Sequence, residues 1–156
     1  MHKWILLIAA SAAALAFAAD PAGFHIWKSG DLKGYEKSLA PKIDANKVAT
    51  QQLGTYGNHS TMVAHREGDG LAELHEKNND LFVAQTGEAT LVIGGKMPGA
   101  KTTAPGEMRS SSIEGGSKQK LGPGDIVHIP AGVPHQLLVE KGKQFTYFTL
   151  KVGTEK

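Results

Sequence analysis

Cysteine is absent from all 156 residues. That excludes disulfides, thiolate metal ligands, a cysteine nucleophile and a lipid-attached N-terminal cysteine. Charge of one sign is also missing, with 15 Asp and Glu against 17 Lys and Arg. The chain therefore lacks the electrostatic footprint of a protein that binds nucleic acid or an anionic membrane. No Gly-x-Ser-x-Gly occurs, so a hydrolase built on a serine nucleophile has no support. There is no internal repeat and no low-complexity tract, and almost no helical pattern beyond residue 46.

Only one long apolar run is present, and it opens the chain. Met1-His2-Lys3 is weakly positive, and residues 4–17 are apolar except for Ser11. Ala16-Phe17-Ala18 then offers small residues at the two positions a signal peptidase reads. The run is alanine-rich and shorter than the roughly 20 residues of a spanning helix. We expect residues 1–18 to be a secretory signal peptide, and the mature protein to be secreted or periplasmic with no membrane attachment. The remainder is one domain by length and large enough to be held by its core without disulfides.

Residues 19–46 read as an N-terminal extension. Ser29 or Asp31 is placed to cap a short helix through Leu39, which Pro41 ends or turns into a further bend. The expected task of this segment is to cover an edge or open end of a β core, with His25, Trp27 and Tyr35 available to line a pocket. From residue 47 to 156 the pattern is one of strands. Residues 48–53 and 60–65 flank a Gly57-Asn58 hairpin turn, which needs positive φ at its first position. Further strands are expected at residues 71–75, 80–85, 88–93, 108–113, 126–129, 135–139 and 145–152. Residues 96–124, rich in Gly, Pro, Ser and Thr, carry little pattern. They read either as a solvated excursion or as a lid, with Lys101, Glu107 or Arg109 touching a ligand. Short strands at near-regular spacing indicate an all-β sandwich or barrel.

The chemistry concentrates in two blocks. In Glu73-Leu74-His75 the outer side chains lie two apart on a strand and share a face. Asp80 can reach the same point from the next apolar run. The second block runs from Gly124 through Pro130 and Gly132, a sharp bend, to His135. Two carboxylates and two imidazoles can surround one divalent ion. His128, on a strand, is expected to be packed or at an interface. His59 and His65 are weaker candidates for a fifth ligand or a substrate contact. Phe82, Leu91, Leu137, Phe148 and Leu150 are expected in the core.

These blocks resemble the paired motifs of the cupin superfamily. The first motif there reads Gly, five residues, His-x-His, three or four residues, Glu, six residues, Gly; here it fits through His75, Asp80 and Gly87. The second reads Gly, five residues, Pro-x-Gly, two residues, His, three residues, Asn; here it fits through Gly124, Pro130, Gly132 and His135. The departures are Glu73 in place of the first His, Asp80 in place of Glu, and Val139 in place of Asn.

The resemblance implies a jelly-roll β-barrel holding manganese, iron(II) or zinc through Glu73, His75, Asp80 and His135. It also implies a small-molecule ligand or substrate and pairing as a homodimer. Oxygenases, isomerases and lyases all use this fold, which does not choose among them. A non-catalytic metal or ligand holder is the alternative. Glu73 is either a fourth ligand or a general base beside the ion. Two anions among four ligands reduce the formal charge around a divalent ion to zero, which weakens its pull on an anionic substrate.

Overall fold

The computed structural model describes residues 20–154, so the expected signal peptide lies outside the described residues. Helix α1 spans Ser29–Leu39, and Pro41 sits in the tight 3-10 turn Ala40–Lys42 that ends it. Neither Ser29 nor Asp31 caps the helix: the N-cap is Lys28, which makes no side-chain cap, and Asp31 lies in the first turn. An acid there still favours the helix dipole.

Eleven strands follow among the described residues. They are β1 (Val48–Tyr56), β2 (His59–Arg66), β3 (Ala72–His75), β4 (Asn78–Gly87), β5 (Ala89–Ile93), β6 (Lys101–Ala104), β7 (Glu107–Ser110), β8 (Ser117–Leu121), β9 (Ile126–Ile129), β10 (His135–Leu138) and β11 (Phe145–Gly153). The β1–β2 hairpin turns at Gly57 and Asn58, with Gly57 at φ +47° as the sequence requires. All strand pairs are antiparallel, and they form two sheets in the jelly-roll arrangement. One has the order β1-β2-β11-β4-β9 and the other β6-β7-β3-β10-β5-β8. No ladder joins the sheets among the described residues, so the β shell is two facing layers rather than a closed ring.

The layers enclose Ala64, Phe82, Leu91, Ile129, Leu137, Phe145 and Tyr147. On β2, Ala64 faces this core while Val63 faces away, where it meets Leu39 and Ala49 in a second cluster with Tyr35 and Phe148. The extension therefore covers the outer face of a sheet, not an edge or an end. Phe148 belongs to that outer cluster, and Leu150 lines an aromatic groove of about 480 Å³ with His25, Trp27, Tyr56 and His59. Both depart from the expected interior positions because side chains alternate along β11.

Residues 96–124 hold β6, β7 and β8. Strands β6 and β8 form the two edges of their sheet, and their residues are exposed except Leu121. No helix among the described residues is long and apolar enough to cross a membrane.

Candidate metal centre

Cross-strand register assembles the site. Glu73 and His75 share the inner face of β3, and His135 of β10 pairs directly with Glu73. Asp80 comes from β4 in the opposite sheet, so the donor set bridges both layers. His75 Nε2 lies 3.4 Å from Glu73 Oε2 and 3.3 Å from Asp80 Oδ2, and His135 Nε2 lies 3.5 Å from Asp80 Oδ2. Ligand atoms about 2.1 Å from one ion sit ~3.0–3.4 Å apart in octahedral or tetrahedral geometry. Glu73, His75 and His135 form a group whose ligand atoms all fall within 4.8 Å of one another, and which could hold a metal ion. Asp80 falls outside that group but touches both imidazoles.

The backbone fixes these positions. Pro130 and Gly132 make the expected bend, with Gly132 at φ +77°. The Gly132 N–H donates to the His75 carbonyl at 2.8 Å, and the Ala131 N–H donates to Asn79 Oδ1 at 2.9 Å. The second motif is thus tied to the β3–β4 junction within the first.

Each imidazole is oriented by its other nitrogen. His135 Nδ1–H donates to the Val133 carbonyl at 3.1 Å, which leaves Nε2 as the lone-pair nitrogen. That Nε2 is buried with no hydrogen-bond partner. Burial holds the His135 pKa below the usual value, so the ring is neutral, as a ligand must be. His75 Nδ1–H donates to Glu107 Oε2 at 2.5 Å. This is the carboxylate–histidine arrangement that orients metal-binding imidazoles.

Four charged side chains outside the predicted donor set complete the centre, two of them (Glu107 and Arg109) named in the sequence only as ligand contacts of a lid, and all but Arg66 are cross-strand partners of predicted donors. Glu107 pairs with His75 and Arg109 with Glu73 across β3 and β7. Lys151 pairs with Asp80 across β11 and β4. Arg66, from β2, places Nη2 3.8 Å from Glu73 Oε1 and its Nε 3.4 Å from Tyr147 Oη. Gly70 makes room for that guanidinium, since an added Cβ would lie 2.8 Å from Nη1. Arg109 spans Glu107 at 3.1 Å and Glu73 at 3.7 Å. Lys101 is exposed and takes no part.

Around the four proposed donors, the carboxylates of Glu73, Asp80 and Glu107 therefore meet the cationic side chains of Arg66, Arg109 and Lys151. With a divalent ion added, the assembly is net positive.

Lys151 lies at the middle. Its Nζ donates to Asp80 Oδ1 and Oδ2 at 2.7 and 2.8 Å and to His75 Nε2 at 2.9 Å. Burial raises the Asp80 carboxyl, but His75 and Lys151 outweigh it and hold the group below the usual range. Burial likewise raises Glu73, while His75, Arg109, His135 and Lys151 bring it down to about 2. For His75, burial lowers the pKa, Asp80 and Glu73 raise it, and Lys151 opposes them, with about 9 as the result. The ring can carry that second proton only if the ammonium moves off Nε2, because two donors cannot face each other. In the arrangement seen here Nε2 accepts.

The other described histidines lie outside the centre. His65 is buried between Thr146 Oγ1 at 2.8 Å and Glu67 Oε1 at 3.2 Å. His59 stacks on Tyr56, and His128 is exposed on β9 rather than packed. Val139, at the motif position that usually holds Asn, is core.

No family model and no curated protein matches the sequence. Solved structures match in shape. The DMSP lyase DddQ from Ruegeria pomeroyi DSS-3 has a TM-score of 0.51 and 19% identity over 70% of this chain and 49% of its own. The chain thus spans about half the length of that lyase. A protein from Bacillus halodurans gives 0.58 at 11% identity over 87% of this chain and 85% of its own. A cupin 2 conserved barrel domain protein from Salinispora arenicola CNS-205 gives 0.48 at 19% over 72% and 80%. At such identities the likeness is one of fold. That fold is a jelly roll of two antiparallel sheets.

Proposed function

We propose that the protein is an exported, divalent-metal-binding cupin enzyme acting on a small oxygenated molecule by oxygenase, isomerase or lyase chemistry. Its metal donors are Glu73, His75, Asp80 and His135. The observation that carries this reading is His135 Nε2. A buried imidazole nitrogen with no partner is costly, and this one lies 3.5 Å from a carboxylate that also contacts the second histidine. Two imidazoles with two carboxylates suit manganese, iron(II) or zinc better than copper. A bound ion of this kind supplies a Lewis acid for a substrate oxygen.

The chain's own residues do the remaining work. Glu107 and the Val133 carbonyl hold the two rings in ligand tautomers. Arg66 and Arg109 restrain Glu73 from either side. A pKa of about 2 favours Glu73 as a ligand over Glu73 as a base, since a base works best with a pKa near the working pH. The lyase among the fold relatives supports a catalytic use of the scaffold.

A second reading, a non-catalytic metal or ligand holder, is favoured by one observation. The cavity beside Glu73, His135, Phe82 and Tyr147 has only about 20 Å³, little more than one water.

Metal analysis of the purified protein tests the proposal. One equivalent of a transition ion, lost on His135→Ala, supports it. Protein that stays metal-free in added manganese, iron(II) and zinc refutes it. Glu73→Gln then separates the roles of that carboxylate, because a ligand role predicts loss of metal and a base role predicts retained metal without turnover.

A further inference from the structure

We propose that Lys151 is the resident cation of this centre, and that a divalent ion binds by exchange with it, so that Lys151 sets which ions the site can hold. The inference rests on the metal-centre reading above and extends it. The argument begins with lone pairs. His75 Nε2 has one, because Nδ1 carries the proton given to Glu107. The structure shows that pair accepting from Lys151 Nζ at 2.9 Å. A nitrogen cannot bind an ammonium N–H and a metal through the same pair. Asp80 adds to the conflict, since both its oxygens accept from Nζ, at 2.7 and 2.8 Å. Loading an ion therefore requires the ammonium to leave.

It has somewhere to go. Lys151 also lines an open cavity of about 420 Å³, with Thr55, Asn58, Ser60 and Asn78. Its side chain is 25% exposed, whereas Asp80 is 2% exposed. The lysine thus lies between the buried acid and solvent, and it can swing outward on its flexible stem without any strand moving.

The consequence is a threshold. Competition from one tethered cation weakens the apparent binding of every ion by the same factor. Ions that gain most from imidazole nitrogen still load, following the order in which zinc exceeds iron(II) and manganese. Weak binders such as magnesium do not. Monovalent ions, matching the ammonium in charge but untethered, cannot compete.

Zinc affinity of the metal-stripped protein, measured in a chelator-buffered titration, tests this with three chains: wild type, Lys151→Met and Lys77→Met. Lys77 borders the same cavity and serves as the control for a general charge effect. The expected result is on the order of tenfold or more tighter binding in Lys151→Met, the scale of charge-assisted hydrogen bonds, with Lys77→Met within about twofold of wild type. In wild type, zinc should also speed acetylation of Lys151, read by peptide mass spectrometry, because the amine leaves its buried position. That second measurement stands if Lys151→Met folds poorly.

Equal zinc affinity in wild type and Lys151→Met overturns the exchange while leaving the metal centre intact. So does equal tightening by Lys77→Met, or acetylation of Lys151 unchanged or slowed by zinc. Failure of all three chains to bind zinc removes the metal reading and the exchange with it.

Discussion

Replacing Glu107 tests the centre through a residue that is not itself a proposed ligand. Its carboxylate accepts the His75 Nδ1–H at 2.5 Å and a hydrogen bond from Arg109 Nη1 at 3.1 Å. Glu107→Ala removes the group that fixes the tautomer and angle of His75, and it frees Arg109, which also restrains Glu73. Loss of such a supporting carboxylate lowers metal affinity by about 10–100-fold, or ~1.4–2.7 kcal/mol. Glu107→Gln keeps an oxygen that accepts from Nδ1–H but loses the charge, so its loss should be below about tenfold. The affinities should thus rank wild type, Gln, Ala. Zinc competition against a chromophoric chelator reads the ranking directly. The rise in thermal midpoint with zinc reads it again, because a weaker ligand stabilises less at equal concentration. Each variant's own midpoint without metal separates affinity from folding. Zinc binding by Glu107→Ala within about twofold of wild type would show that His75 is not oriented through Nδ1, and the account of the centre would fail.

Other outcomes follow from the same geometry. Once the Lys151 ammonium has moved off Nε2, His75 takes a second proton with a folded pKa of about 9 against an ordinary 6.5, and that contribution to stability is complete below 6.5 and lost as pH rises through 9. That contribution is ~3 kcal/mol at most, and the thermal midpoint of the metal-free protein should fall between pH 7 and 9.5 more steeply than that of His75→Gln. Gly87→Ala places a Cβ against the Gln144 carbonyl at a φ of +75°, and should cost about 3 kcal/mol or more in urea unfolding. Leu39→Ala empties the contact between α1 and the outer face of β2, where Leu39 is 1% exposed; about 2–5 kcal/mol should be lost. N-terminal sequencing of the protein recovered outside the cytoplasm should begin at Ala19, and a start at Met1 would refute cleavage.

The strands legible in the sequence were those with one face buried. Strands β2, β4 and β11 alternate enough to be read, and β9 matches its expected span residue for residue. Strands β6 and β8 were not legible, because as sheet edges they expose nearly every residue and carry no alternation. His65 is a weaker ligand candidate in the sequence. Only its position beside Thr146, distant along the chain, shows that its hydrogen bonds are made elsewhere.

Spacing within a strand is a local property, and so the sequence alone put Glu73 and His75 on one face and set the Pro130–Gly132 bend before His135. Which strand lies beside which is not local. Only the folded sheets set Glu107 opposite His75, Arg109 opposite Glu73 and Lys151 opposite Asp80. Those three neighbours, with Arg66, decide the charge around the proposed donors.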